Sequence, residues 1–246
     1  MYEEKASKAK EHMDTIKTGA LPGEQHTNDL TQPFSSSFFD DINQAYPSIS
    51  KEELSKTVVV VTGIPRSGTS MIMQMLQAGG LSLMIDNKRS KDENNPKGYF
   101  EFEPVKQLVK DNRFLEETKG KGIKIIPQFL RYLDAELSYR IIFIIRDINE
   151  VVASQEKMLS KDNNKDTNQS ASDLKRAFDK QINQTMAFLN NYSRLPVLYI
   201  SHRQCIEKPI EIAENINEFL GGYLDINKMA KAVSRNLYRQ KMSHLM

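Results

Sequence analysis

The segment Gly63-Ile64-Pro65-Arg66-Ser67-Gly68-Thr69-Ser70, directly after Val58-Val59-Val60-Val61, has the frame of a phosphate-binding loop. Two glycines bracket four residues, an apolar run precedes them and a helix-forming run follows. Such glycines let the backbone turn sharply and approach a ligand closely. The N–H groups and dipole of the helix that follows attract an anion. In a Walker A loop a lysine comes next and reaches the β- and γ-phosphates of a nucleoside triphosphate. Here Thr69 holds that position, with Ser70 after it. A loop that keeps the cradle and drops the lysine is expected to prefer a different phosphorylated ligand. Arg66 restores a positive charge inside the loop, and the hydroxyls of Ser67, Thr69 and Ser70 add donors. An ordinary strand-turn-helix is the alternative, and Arg-Ser-Gly-Thr-Ser between the apolar runs argues against it.

A second segment has the same logic. The apolar run Ile141-Ile142-Phe143-Ile144-Ile145 ends in Arg146 and Asp147, and Ser154 follows Arg146 by eight residues. A surface salt bridge for Arg146 and a solvated helix face for Ser154 are the bland alternatives.

Taken together, these two segments resemble the sulfotransferase family that uses 3′-phosphoadenosine 5′-phosphosulfate (PAPS). Asn95-Pro96-Lys97-Gly98-Tyr99-Phe100-Glu101 and Asn236-Leu237-Tyr238-Arg239-Gln240 also look like bacterial members, and the resemblance runs from about residue 57 to 240. It implies that Arg66, Ser67, Gly68, Thr69 and Ser70 hold the 5′-phosphosulfate. It implies that Arg146 and Ser154 hold the 3′-phosphate. The implied reaction moves a sulfuryl group from PAPS to a hydroxyl or amine, leaving the bisphosphate PAP, with no metal. Arg66 is then expected to neutralise the charge on the departing nucleotide. Many members carry a catalytic histidine in a Lys-Thr-His segment, but the matching stretch here, Gly122-Ile123-Lys124-Ile125-Ile126, has none. Other members use a glutamate, and Glu101 and Glu103 are the candidates, Glu101 beside Tyr99 and Phe100 being the one expected to act as base. Lys124 is a possible helper that more often snorkels to the surface. The family's Arg-Lys-Gly clamp near the C-terminus is absent; Arg235, Arg239 and Lys241 could do a similar job, with Arg239 carried as the candidate and a solvated helix face as the alternative.

The elements that must position these residues are legible as strands alternating with helices. Strands are expected at 57–61, 81–85, 123–126, 141–145 and 197–200. Helices are expected after Thr69, from Asp147 (capped, with Glu150 as capping-box partner), along the stripe Leu174, Phe178, Ile182, Met186, Leu189, and from Pro209 to Leu220. A short helix is expected from Pro104, and a polar loop at 160–172. The fold class is therefore α/β: a single domain with a mainly parallel five-stranded sheet flanked by helices, like that of P-loop NTPases. Residues 1–55 form a polar N-terminal extension, with an expected helix at 5–16 and aromatics at 33–39 that dock on the main body; residues 56–246 form the domain. Ligands in such sheets bind at the carboxyl ends of the strands.

Composition narrows the function classes. A net charge of +2 over 246 residues gives no electrostatic case for nucleic acid. No apolar run approaches a bilayer span. The start of the chain lacks a secretory layout and Cys205 is the lone cysteine, so a cytoplasmic setting is expected. The four histidines are scattered and are read as surface or structural. The acceptor is expected to be a small molecule, glycan or lipid bound by loops 86–103 and 160–172. Two other readings stay open: a kinase-like or nucleotide-hydrolysing P-loop protein, against which Thr69 argues, and a non-catalytic PAP-binding module.

Overall fold

Four consecutive valines leave no polar face, so the strand they build must be covered on both sides. In the computed structural model, which describes residues 38–39, 42–43, 46–86, 88, 98–159, 170–191 and 195–233, β1 (Thr57–Thr62) is buried at every position. β2 (Gly122–Lys124), β3 (Ser138–Ile145) and β4 (Val197–Ser201) complete the sheet. Its order is β2-β1-β3-β4, and every pair is parallel. The chain thus proceeds from β1 to β2 on one side and from β3 to β4 on the other. At such a reversal the connections leave in opposite directions and open a crevice at the carboxyl ends of the strands.

Helices cover both faces. They are α1 (Lys51–Ser55), α2 (Thr69–Ala78), α3 (Ile148–Leu159), α4 (Ala171–Asn191), α5 (His202–Glu207), α6 (Pro209–Phe219) and α7 (Ile226–Ala232). Ile72 and Leu76 of α2, Ile216 and Phe219 of α6 and Met229 of α7 share one core with Val59, Val61, Ile142 and Ile144. The alternate strand residues Val58, Val60, Phe143 and Tyr199 are buried too. On α4 the expected stripe is buried at Phe178, Ile182 and Leu189. Pro104 enters a 3₁₀ turn at Glu103–Gln107, as its fixed φ and missing N–H favour.

Four strands, not five, form the sheet among the described residues. The strand expected at 81–85 is reduced to a single parallel bridge between Leu83 and Gly122. Two bonds support it, Met84 N–H to the Gly122 carbonyl and Gly122 N–H to the Ser82 carbonyl, both 2.8 Å. Because β2 is only three residues long, it offers no ladder on which residues 81–85 could extend. The chain turns instead to Asp86, whose N–H donates to the Glu101 carbonyl at 3.2 Å and whose Oδ2 accepts from Glu103 N–H at 2.6 Å.

Residues 33–246 form one compact unit, and residues 1–32, a second unit, lie outside the described residues. So do the helix expected at 5–16, most of the turn at 94–98, the loop at 160–169 and the tail from 234. Of the aromatics expected to dock, Phe39 is buried and meets Phe38 edge-on at 5.3 Å between centroids. The end of the expected extension is built into the domain. Ser50 and Glu53 form a capping box on α1, and Leu54 joins the core. Arg140 of β3 donates to the carbonyls of Pro47 and Phe219 and lies 5.0 Å from the Phe219 ring centroid. Asn43 pairs with the outer edge of β4: its Nδ2 donates to the Tyr199 carbonyl at 3.0 Å and its Oδ1 accepts from Tyr199 N–H at 2.8 Å. No helix among the described residues is long and apolar enough to cross a membrane.

Candidate functional site

β1 and β3 are neighbours, so the turns that leave their carboxyl ends lie side by side in the crevice. From β1 the chain turns through residues 63–68 into α2. Arg66 has φ 67° and Gly68 has φ 106°. A left-handed arginine is uncommon and costs free energy that its surroundings must supply. Gly68 is the N-cap of α2 and, without a side chain, makes no cap bond of its own there. A Cβ at Gly68 would sit 2.6 Å from Cδ2 of His202 and 3.1 Å from Cδ1 of Ile144, so only glycine fits.

From β3 the chain passes through Arg146 and Asp147 into α3. Asp147 caps the helix as expected: its Oδ1 accepts from the N–H groups of Asn149 and Glu150, at 2.8 and 3.2 Å. The Glu150 carboxylate, expected to complete a capping box, is turned to Arg146, whose Nε donates to it at 3.0 Å. This pair is buried, with side-chain exposures of 10% and 9%.

The two turns are directly bonded to one another. Arg66 Nε donates to Ser154 Oγ at 3.1 Å, and an Nη of Arg146 donates to the Arg66 carbonyl at 3.1 Å. Arg66, Arg146 and Ser154, expected from sequence to serve one ligand, therefore meet in one cluster, and the Arg146 bond helps to hold Arg66 in its left-handed conformation. Ser67 is fully buried, its N–H donates to the Ile64 carbonyl at 3.1 Å, and its Oγ has no hydrogen-bond partner among the described residues. A Cβ on Gly63 would lie 2.5 Å from that oxygen, so the hydroxyl sits beneath the loop. Thr69 and Ser70 open α2 and are half-buried.

Ser70 links the loop to a second cluster. Its Oγ donates to the Tyr99 carbonyl at 3.3 Å, and Lys124 Nζ, at the end of β2, donates to the same oxygen at 2.6 Å. Lys124 Nζ also lies 3.4 Å from Oε1 of Glu101. Glu101 was expected beside the rings of Tyr99 and Phe100; its partner is an ammonium instead. Lys124 was expected to reach for solvent, yet its side chain is only 12% exposed. Phe100, between these anchors, has φ 53° and packs against the core. Arg239 lies outside the described residues.

His202, read from sequence as surface or structural, is buried and packs on the loop. It begins α5 at the carboxyl end of β4 and is buried against Gly68. Burial pushes its imidazole pKa down to about 3, and the nearby positive charge of Arg146 adds to the shift. The ring is neutral at physiological pH and adds no charge to the cluster. Among the described residues no group of histidine, cysteine, aspartate and glutamate could hold a metal ion.

The site therefore contains a left-handed loop over a helix N-terminus whose cap is Gly68, two arginines on neighbouring strand ends, a buried hydroxyl without a partner, and a lysine–glutamate pair at the rim. Such a set can bind a ligand with two separated anionic groups. No family model matches the sequence, and no curated protein is similar to it. Solved structures similar to this one include the sulfotransferase domain from the Synechococcus PCC 7002 olefin synthase, 12% identical with a TM-score of 0.46, covering 80% of this chain and 82% of that domain. The sulfotransferase domain from the curacin biosynthetic pathway is 14% identical with a TM-score of 0.44, covering 72% of this chain and 78% of that domain.

Proposed function

We propose that the protein is a sulfotransferase that moves a sulfuryl group from PAPS to a hydroxyl or amine acceptor. The observation that carries this reading is the direct bonding of the two strand-to-helix turns, Arg66 to Ser154 and Arg146 to the Arg66 carbonyl. One donor with a 5′-phosphosulfate and a 3′-phosphate needs two cationic groups, and the adjoining turns supply Arg66 and Arg146. A nucleoside triphosphate instead needs a lysine after the second glycine, where this chain has Thr69. The orphaned Ser67 hydroxyl fits too, since a buried polar atom without a partner calls for one.

In this reading the 5′-phosphosulfate lies on the loop 63–68 and the first turn of α2, with Thr69 and Ser70 as donors. Arg146 and Ser154 hold the 3′-phosphate. The acceptor oxygen or nitrogen attacks sulfur in line with the bridging oxygen; the new bond to sulfur forms as the bond to that oxygen breaks. Glu101 takes the acceptor proton, and Arg66 neutralises the charge left on the 5′-phosphate of the departing PAP. Positioning and fixed charge supply most of the catalysis, as in phosphoryl transfer.

Calorimetry with adenosine 3′,5′-bisphosphate, against ATP-magnesium, tests the proposal. Tight bisphosphate binding that folded Arg146→Ala loses is the expected result. Absence of bisphosphate binding, or a preference for ATP-magnesium, refutes it.

A further inference from the structure

We infer that Glu150 is a positioning residue for the anion site, acting through Arg146 and, beyond it, through the phosphate loop. The inference rests on the proposed donor reading and adds a residue to it. Arg146 lies two residues before α3 and Glu150 in its first turn, so the i,i+4 spacing aims the carboxylate back at the guanidinium. The carboxylate takes Nε at 3.0 Å, and an Nη of the same planar group reaches the Arg66 carbonyl at 3.1 Å. Because the guanidinium is rigid and flat, fixing Nε fixes the direction of both Nη groups. Without this bond the guanidinium loses the contact that sets its Nε. Its aim toward an incoming phosphate, and its bond to the Arg66 carbonyl at φ 67°, are then both loosened.

Electrostatics alone does not account for a carboxylate here. Glu150 places a negative charge, 9% exposed, beside the positive charges of Arg66 and Arg146. His202 is neutral and offsets nothing. As a charge Glu150 opposes anion binding; as a hydrogen-bond acceptor of the right reach it orients the group that binds. A group that orients a ligand-binding side chain is often as necessary as the side chain itself.

Two conservative variants separate reach from charge. Glu150→Gln keeps the length and an acceptor oxygen but removes the charge; Glu150→Asp keeps the charge but withdraws the carboxylate by one methylene. Each is titrated with adenosine 3′,5′-bisphosphate and with adenosine 5′-monophosphate, at a temperature where circular dichroism shows it folded. Positioning predicts that Glu150→Asp binds the bisphosphate roughly tenfold more weakly, the order lost when the outer partner of a ligating group is removed. Its affinity for the monophosphate changes less. Glu150→Gln, which keeps an acceptor oxygen and loses the opposing charge, binds both at least as tightly as the parent. Glu150→Asp binding like the parent, or Glu150→Gln binding as weakly as Glu150→Asp, overturns the inference and leaves the donor reading standing. A purely stabilising role shifts the melting temperatures without changing the ratio of the two affinities, and that outcome overturns it as well. If the parent protein itself binds no bisphosphate, the inference and the donor reading fall together.

Discussion

Gly68→Ala tests the geometry of the phosphate loop without any ligand. Two costs add. The first is conformational: Gly68 has φ 106°, and an L-residue in left-handed backbone loses about 1–2 kcal/mol. The second is steric. The new methyl would lie 2.6 Å from Cδ2 of His202 and 3.1 Å from Cδ1 of Ile144. Neither is the end of a flexible chain, because both side chains are held in the core, and overpacking of this kind costs about 1–3 kcal/mol. A total near 3 kcal/mol lowers the melting temperature of a domain of this size by about 6–12 °C. The decisive measurement is a double-mutant cycle by urea denaturation. In a His202→Ala background the imidazole overlap is gone and the conformational cost remains. The cycle should therefore return a favourable coupling of about 1 kcal/mol or more. Additive losses, within about 0.5 kcal/mol, would show that His202 does not wall the loop and would refute the argument.

Three further outcomes are expected. His202 has a pKa of 6.5 as a free side chain and about 3 when folded. The unfolded chain therefore binds the proton first, and the stability due to the neutral ring is complete above about pH 6.5 and declines as pH falls toward 3. The slope approaches 1.4 kcal/mol per pH unit; urea midpoints between pH 7 and 4 should show it, and His202→Gln should lack it. Arg140→Met removes the donor to two carbonyls at the end of the sheet remote from the loop. It should cost about 3 kcal/mol in denaturant melts while leaving bisphosphate affinity unchanged. Glu101→Gln should lower turnover by about 100-fold or more with PAP affinity intact, once an acceptor is found; full activity would remove Glu101 from the chemistry.

Where a local pattern is enough to specify an element, the sequence was sufficient. The apolar runs of β1 and β3 have no polar face to expose, Asp147 caps α3 through its neighbours' N–H groups, and Pro104 enters a 3₁₀ turn. The two strand-to-helix turns were legible for the same reason, although not the bonds between them. What local pattern does not encode was missed. The apolar run 81–85 reads as a strand, but a strand needs a neighbour of matching length and β2 is short. Glu150 fits a capping box so well by spacing that its ion pair with Arg146 was hidden. Lys124 has a stem that can run to water or inward, and the carbonyl that turns it inward is 25 residues away. Phe100 carries no turn signal for its positive φ, which the contacts on either side impose. His202 belongs to no motif; it reaches the loop only because β4 lies beside β3.

The Asn43 amide that closes the edge of β4 bears on how the chain folds. It meets Tyr199 from 156 positions away, so the loop closed by this contact is among the costliest in entropy. During synthesis the partner strand emerges long after Asn43, and until then that edge of the sheet has no cover from this residue. A contact that forms after the main barrier slows unfolding and leaves the folding rate nearly alone. Asn43 would then work as a late catch: in a chevron plot, loss of its side chain in Asn43→Ala would raise the unfolding arm at every denaturant concentration, while the folding arm keeps its position.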